Sequence, residues 1–311
     1  MEGEFFMKKS MQMVVAVVAI LGTAATYSPS FAAEKPATVV AQSDYAAHPL
    51  KNSIDYVLKN RLMWTFPDGS FRPEQVVTQA ELVTSLVTIK GVKKAAPVPE
   101  IAAGHWAKAA YEKAKADGML DGVTIRPYAV LTREEAAYLV INAMQSVRNS
   151  RGLKNNENYY KNLPNIQFVV GYRWIPKKAG KFPNGVSTTA YDGLSNYTRA
   201  EQAFTINQLH VDLNEMAQAN KLADEFHTSL KVKSGVISGK AVTGTNQVNT
   251  DITILYKDGK FKIIKTDNSV FREDVKKVAR VIFGTVTPYR KGLVEYRYDS
   301  FDPPLRERRW Y

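Results

Sequence analysis

Two arginines stand where helix ends should be. Arg133 lies in Thr132-Arg133-Glu134-Glu135 and Arg199 in Thr198-Arg199-Ala200-Glu201. Threonine with glutamate three residues on is the capping box, in which the two side chains satisfy backbone donors that a helix start leaves unpaired. Such an end carries free N–H groups and a partial positive charge, so it suits a carboxylate or phosphate. An arginine one residue inside adds a charged, bidentate partner. The chemistry on offer is anion recognition. A third copy, Thr78-Gln79-Ala80-Glu81, has Gln79 in place of the arginine, and a neutral amide makes the weaker contact. Thr78, Glu81, Thr132, Glu135, Thr198 and Glu201 read first as helix caps. Arginine has no capping task, and the sequence leaves open whether Arg133 and Arg199 meet a ligand or the protein itself. Trp106 has a broad apolar ring that suits a sugar face or burial equally well, and Trp174 poses the same choice. The Asp68-Gly69 pair either offers backbone groups to a sugar or simply turns the chain.

Catalytic patterns do not appear. The histidines, His48, His105, His210 and His227, lack metal-ligand spacing, and no Gly-x-Ser-x-Gly elbow or P-loop is present. The absence of Cys removes disulfides, thiolate metal sites and a thiol nucleophile. Asp224 and Glu225 read as a solvated helix face. No catalytic residue, metal site or cofactor is therefore expected. The alternative is a wall-active hydrolase or transferase with its chemistry in the C-terminal part.

The elements that would position these residues follow from the local pattern. Each capping box opens an apolar stripe at helical spacing: Leu82, Val83, Leu86 and Val87; then Ala136, Leu139, Val140 and Ala143; then Ala203, Phe204, Ile206, Leu209 and Leu213. The third stripe can run on through Met216, Leu222 and Phe226. Upstream of the first, Pro67-Asp68-Gly69 predicts a tight turn, and Pro73 directs Arg72 towards an extended conformation. The motif recurs every 50 to 65 residues or so, which indicates stacked helix-loop-helix units that bury a face only against one another.

FPDGSFRP followed by VTQAEL, HWAKAAYEKAKADGML followed by LTREEA, and YTRAEQ together resemble three tandem S-layer homology (SLH) repeats. The resemblance covers roughly residues 45 to 213. The repeats span 45–93, 97–147 and a degenerate 148–213. Pro49 stands where the first repeat's tryptophan would be, the second contracts its Asp-Gly loop to Gly122-Val123-Thr124, and Pro176 interrupts the third. The resemblance implies an α-helical fold with three helix-loop-helix units about a pseudo-threefold axis. It also implies grooves that hold a secondary cell-wall polysaccharide bearing pyruvate ketals. Arg133, Arg199, Trp106, Gln79, Asp68 and Gly69 are the residues expected at those grooves, with Gln79 contributing least.

Residues 1–32 read as a signal peptide, with Met7-Lys8-Lys9, an uncharged core from Met13 to Leu21 and Ser30-Phe31-Ala32 before the cleavage point. The apolar run is too short to span a membrane, so no span is expected after its removal. Met1 to Phe6 is either an extension or lies upstream of a start at Met7. Residues 33–44 form a linker. The destination expected is the cell wall or S-layer of a bacterial envelope. The net charge of +12 suits an acidic partner, and export argues against nucleic acid. Residues 214–311 read as a helix extension and a small α+β domain of unknown role and partner. That domain has strands around Leu230 and Ile252, a hairpin turning at Asp258-Gly259, a helix over Phe271 to Phe283 and a strand from Leu293 to Tyr298. The basic, aromatic tail from Pro303 has no periodicity.

Overall fold

The computed structural model describes residues 43–148, 164–181, 184–287, 291–297 and 306–310. The expected signal peptide, the linker as far as residue 42 and the polar stretch 149–162 lie outside these residues.

Among the described residues the fold is mixed α+β, with six helices and small antiparallel sheets. The helices are α1 (Lys51–Lys59), α2 (Gln79–Lys90), α3 (Lys108–Asp117), α4 (Arg133–Arg148), α5 (Asn165–Gly171) and α6 (Arg199–Ser229). Helices α2 and α6 open on complete capping boxes at Thr78/Glu81 and Thr198/Glu201. At the start of α4 the Thr132 N–H donates to Glu135 at 2.8 Å, and the Glu135 N–H returns to the Thr132 hydroxyl at 3.2 Å. Helix α5 begins after Pro164 with no side-chain cap of its own. Glu134 of α4 meets its first two N–H groups instead, accepting from Asn165 at 2.8 Å and Ile166 at 2.9 Å.

The segments leading into α2, α4 and α6 meet in a closed ring. The Val77 N–H donates to the Tyr197 carbonyl, the Tyr197 N–H to Leu131 and the Leu131 N–H to Val77, each at 2.9 Å. These three side chains are buried. They belong to a core that includes Ile54, Leu82, Leu86, Tyr111, Val140 and Ile206. Covering the ring in apolar side chains is tolerable because each of its buried amides has a partner.

Helix α6 runs 31 residues and serves two cores. Ile206 and Leu209 belong to the first, whereas Leu222 and Phe226 join Ile237, Ile252, Ile254, Val281 and Phe283 in a second. The Phe226 ring stacks on Phe283 with centroids 4.6 Å apart. A three-stranded sheet in the order β3-β4-β7 and a five-stranded one in the order β10-β9-β8-β5-β6 supply the second core. Their strands are β3 (Lys231–Lys233), β4 (Val236–Lys240), β5 (Asn249–Tyr256), β6 (Phe261–Ile264), β7 (Val270–Asp274), β8 (Val278–Val286), β9 (Lys291–Arg297) and β10 (Arg306–Trp310). Strands β1 (Gly180–Lys181) and β2 (Ser187–Thr188) form a separate hairpin. At the Asp258-Gly259 turn, the Tyr256 N–H donates to the Lys260 carbonyl and Gly259 adopts φ 85°, a conformation that disfavours a Cβ.

One expectation fails here. The helix over Phe271 to Phe283 is absent, and strands β7 and β8 occupy that stretch. Val275, Val278, Ala279 and Ile282 fall at helical spacing, but Lys276 N–H bonds the Asp274 carboxylate and Lys277 N–H the Asp274 carbonyl. This turn breaks the run, after which Val281 and Phe283 alternate inward with Arg280 and Ile282 outward. The tail, where the sequence shows no periodicity, pairs over Arg306–Trp310 as β10 with β9.

Candidate functional site

The residue after each capping threonine reaches into the loop of a neighbouring segment. Arg199 donates through Nε to the Phe71 carbonyl and through Nη2 to the Trp64 carbonyl, both at 2.9 Å. Arg133 donates to the carbonyls of Asp192 and Pro176, and its Nε lies 2.9 Å from Glu201 Oε1. Gln79 donates to the Thr124 carbonyl at 2.9 Å and accepts from the Arg126 N–H and the Tyr111 hydroxyl. All three join the same ring of segments and differ in what they leave open.

The Arg133 junction is sealed. Its side chain is fully buried; Nη1 and Nη2 donate to Asp192 and Pro176, whereas Nε lies 2.9 Å from Glu201 as an ion pair without hydrogen-bond geometry. Burial pushes the Glu201 carboxyl above its ordinary value, and the Arg133 charge opposes that rise. Gln79 is equally enclosed, at 3% exposure. With a neutral residue at that point, Glu135 takes its counter-charge from Arg126, 2.6 Å away on the surface. Burial alone would raise the Glu135 carboxyl, but the Thr132 N–H and hydroxyl, together with Arg126, outweigh it and hold the group below its usual value.

The Arg199 junction is open. Among the described residues its hydrogen bonds run from Nε and Nη2, the side chain is half-buried where that of Arg133 is fully buried, and the guanidinium lies 4.8 Å from the centroids of both Phe66 and Phe71. Arg72 sits 3.9 Å from the Phe66 centroid, so two cations share one ring. Trp64 is 55% exposed beside them. The loop that carries this group is tied down by acids. Asp44 accepts the Phe71 and Arg72 N–H groups at 2.8 and 2.6 Å. Asp68 accepts the Ser70 N–H and hydroxyl and pairs with Arg72 at 2.8 Å. The Ser70 hydroxyl and then Arg72 hold the Asp68 carboxyl well below the usual range. Gly69 closes the turn on the Phe66 carbonyl at 2.8 Å. Arg72 is not extended as Pro73 suggests; it has φ 58°, a left-handed conformation that costs a side-chain-bearing residue roughly 1–2 kcal/mol. The bonds to Asp44 and Asp68 offset that cost and aim its guanidinium at Phe66.

The expectation of an anion seated on the helix N-termini is corrected by the backbone. In α2 the Gln79 and Ala80 N–H groups donate to Ala129 and Pro127. In α4 Arg133 and Glu134 donate to Ser195 and Gly193, and in α6 Arg199 and Ala200 donate to Gln75 and Pro73. The third N–H of each helix goes to its capping threonine. The first turns are already satisfied from within the protein.

Trp106 is half-buried against the first core and stacks on His105 with centroids 5.8 Å apart. Tyr128, 74% exposed, packs on the same His105 at 4.9 Å. Trp174 is buried, with its indole N–H 2.7 Å from Asp212. The structure thus brings Asp68 and Gly69 together with Arg199 and separates them from Arg133, Gln79 and Trp106. Sequence reasoning gave no role to Trp64 or Arg72. Arg72 lies four residues after Asp68, the spacing of an ion pair, but nothing local marks Trp64 as exposed. Among the described residues no group of three or more His, Asp or Glu is placed to hold a metal. No helix there is long and apolar enough to cross a membrane.

One family match falls on most of the open junction. Residues 43–83, which carry every residue of that junction except Arg199, match the family model of the S-layer homology domain. Cell surface glycoprotein 1 of Acetivibrio thermocellus is 24% identical over 213 residues, covering 64% of this chain and 9% of its own length. The Cellulosome-anchoring protein of the same organism is 30% identical over 105 residues, covering 30% of this chain and 23% of its own. The chain therefore spans less than a quarter of either relative. From the first described residues up to the opening of α2, this chain is thus similar to an S-layer homology domain.

Proposed function

We propose that residues 45–213 are three related helix-loop-helix repeats about a pseudo-threefold axis, and that they hold the protein non-covalently at the cell surface. The ligand in this reading is an anionic secondary cell-wall polysaccharide, with pyruvate ketals as its carboxylates, and the role is attachment without catalysis. The match at residues 43–83 and the names of the two relatives support surface anchoring. The cyclic hydrogen bonding of Val77, Leu131 and Tyr197 supports the repeat.

The observation that carries the ligand assignment is the open junction. Arg199 is half-buried and spans the Phe71 and Trp64 carbonyls, Arg72 lies across the same Phe66 ring, and Trp64 is 55% exposed. A carboxylated sugar needs a cation for its acid and a flat apolar surface for its ring, and this junction offers both. The test is co-sedimentation of the protein with purified wall, native and stripped of its secondary polymer, at low and high salt. The Arg72→Ala/Arg199→Ala pair should weaken binding to native wall by about tenfold or more, since charged hydrogen bonds contribute roughly 1.5–3 kcal/mol each. Salt should weaken the wild-type contact as well. A folded double variant that binds like wild type, or equal binding to stripped wall, would sink the reading.

A further inference from the structure

We infer that Asn184 is a site of spontaneous deamidation, in which the Gly185 amide nitrogen displaces ammonia from the asparagine side chain and water then opens the ring. Asparagine is among the chemically labile residues, and a glycine after it leaves the attacking nitrogen unshielded by a side chain. Asn184-Gly185 is the one Asn-Gly step in the chain. Residues 184–187 lead into β2 and are all exposed. The Val186 N–H donates to Asn184 Oδ1 at 3.1 Å, which wraps the side chain around the Gly185 nitrogen and draws electrons from its carbonyl carbon. Among the described residues neither the Gly185 N–H nor the Asn184 Nδ2 has a hydrogen bond. Nucleophile and leaving group are both free, and the carbon between them is activated.

Two comparable steps are locked. Asn52-Ser53 lies in α1, where the Ser53 N–H donates to the Leu50 carbonyl at 3.0 Å. At Asn268-Ser269 the Ser269 N–H donates to Asp267 Oδ1 at 3.0 Å, and Asn268 Oδ1 accepts the Thr243 N–H at 3.1 Å. Asp68-Gly69 makes the same turn as Asn184-Gly185: the glycines have φ 82° and 83°, and the Ser70 N–H donates to Asp68 Oδ1 at 2.9 Å. There the Gly69 N–H is already taken by the Phe66 carbonyl. The chemistry at Asn184 balances with water as the only added reactant. A bond forms from Gly185 N to Asn184 Cγ, the Cγ–Nδ2 bond breaks, and the Gly185 amide proton departs with the ammonia. Water then cleaves the cyclic imide on either side of its nitrogen. One cut leaves aspartate, which can keep the turn that Asp68 keeps. The other leaves isoaspartate, whose main chain runs through the former side chain and adds a carbon to the β1–β2 connection. Each product places a negative charge on a chain of net charge +12.

The test holds the full chain in neutral buffer made with heavy-oxygen water and follows its tryptic peptides by mass spectrometry, with electron-based fragmentation to separate aspartate from isoaspartate. Asn184 should convert at least about tenfold faster than Asn52 or Asn268, a barrier lower by about 1.4 kcal/mol. Both products should appear, each carrying a heavy oxygen from water. Gly185→Ala should slow the step by a similar factor, because the added methyl stands beside the nucleophile. No residue beyond its chain neighbours lies within 4 Å of that methyl position, and circular dichroism checks the fold. Conversion no faster than at Asn268, aspartate formed without isoaspartate, or an undiminished rate in Gly185→Ala would each overturn the proposal.

Discussion

Arg133 and Arg199 occupy the same place in the same four-residue motif, and the protein uses them in opposite ways. One is closed over by Glu201, Asp192 and Pro176 until no part of it meets solvent. The other bonds two carbonyls through Nε and Nη2, lies against two phenylalanines and is only half-buried. The motif specifies a residue that spans to the next loop; the loop it reaches decides whether that residue is sealed or left partly exposed. Gln79 adds a third case, a neutral strut whose partner helix had to find its counter-charge in Arg126.

The sharpest way to break this contrast is Arg133→Ala. It leaves Glu201 buried and unpaired, so the cost should be about 3–5 kcal/mol, read as a fall in denaturation midpoint. A loss under about 1 kcal/mol would mean that water reaches the pair. Removing both charges together in Arg133→Met/Glu201→Leu should restore most of the stability, because the penalty lies in the orphaned charge. Gln79→Arg comes next. It takes the acceptor from the Tyr111 hydroxyl and the Arg126 N–H, and should cost about 1–3 kcal/mol without adding wall affinity, a result that chemical denaturation and sedimentation together would read. Arg199→Ala should cost less, about 1–2 kcal/mol, yet lower wall binding more than either. Retained binding in the folded variant would erase the distinction between site and strut.

The smallest effect is a pair of titrations. Glu135 and Glu201 hold the same position in their capping boxes, but Glu135 lies below its ordinary value and Glu201 above. The depressed Glu135 contributes stability above its unfolded value and loses it as the pH falls through its folded one. For Glu201 the sign reverses: its contribution is full in acid and declines as the pH rises through its raised value. Carboxyl carbon shifts followed by NMR should show Glu135 titrating first as the pH rises, and the opposite order would contradict the burial assigned to Glu201.

What the sequence disclosed follows from distance along the chain. The starts of α2, α4 and α6 were legible because a capping box closes within four residues, and the Asp258-Gly259 hairpin because its turn is equally local. The closure of Arg133 was not, since Pro176, Asp192 and Glu201 lie 43 to 68 positions downstream and nothing in Thr132-Arg133 encodes them. The exposure of Trp64 depends in the same way on a loop folded by Asp44 and Arg199. The β7–β8 stretch misled for another reason. Its four apolar residues fit a helix by number, and the turn at Asp274, which depends on a side-chain bond to Lys276, overrides that count.

Helix α6 carries a mechanical consequence. Its 31 residues contain no glycine or proline and rise about 45 Å at 1.5 Å per residue, contributing to one core near its start and to the other near its end. A flexible tether of the same length would average about 30 Å end to end and point in any direction. This one behaves as a mast, giving the β-sheets a set height and heading over whatever grips the other end. A field of such molecules, each seated the same way, would present its β-sheets in parallel, so that order imposed at the foot reappears at the top.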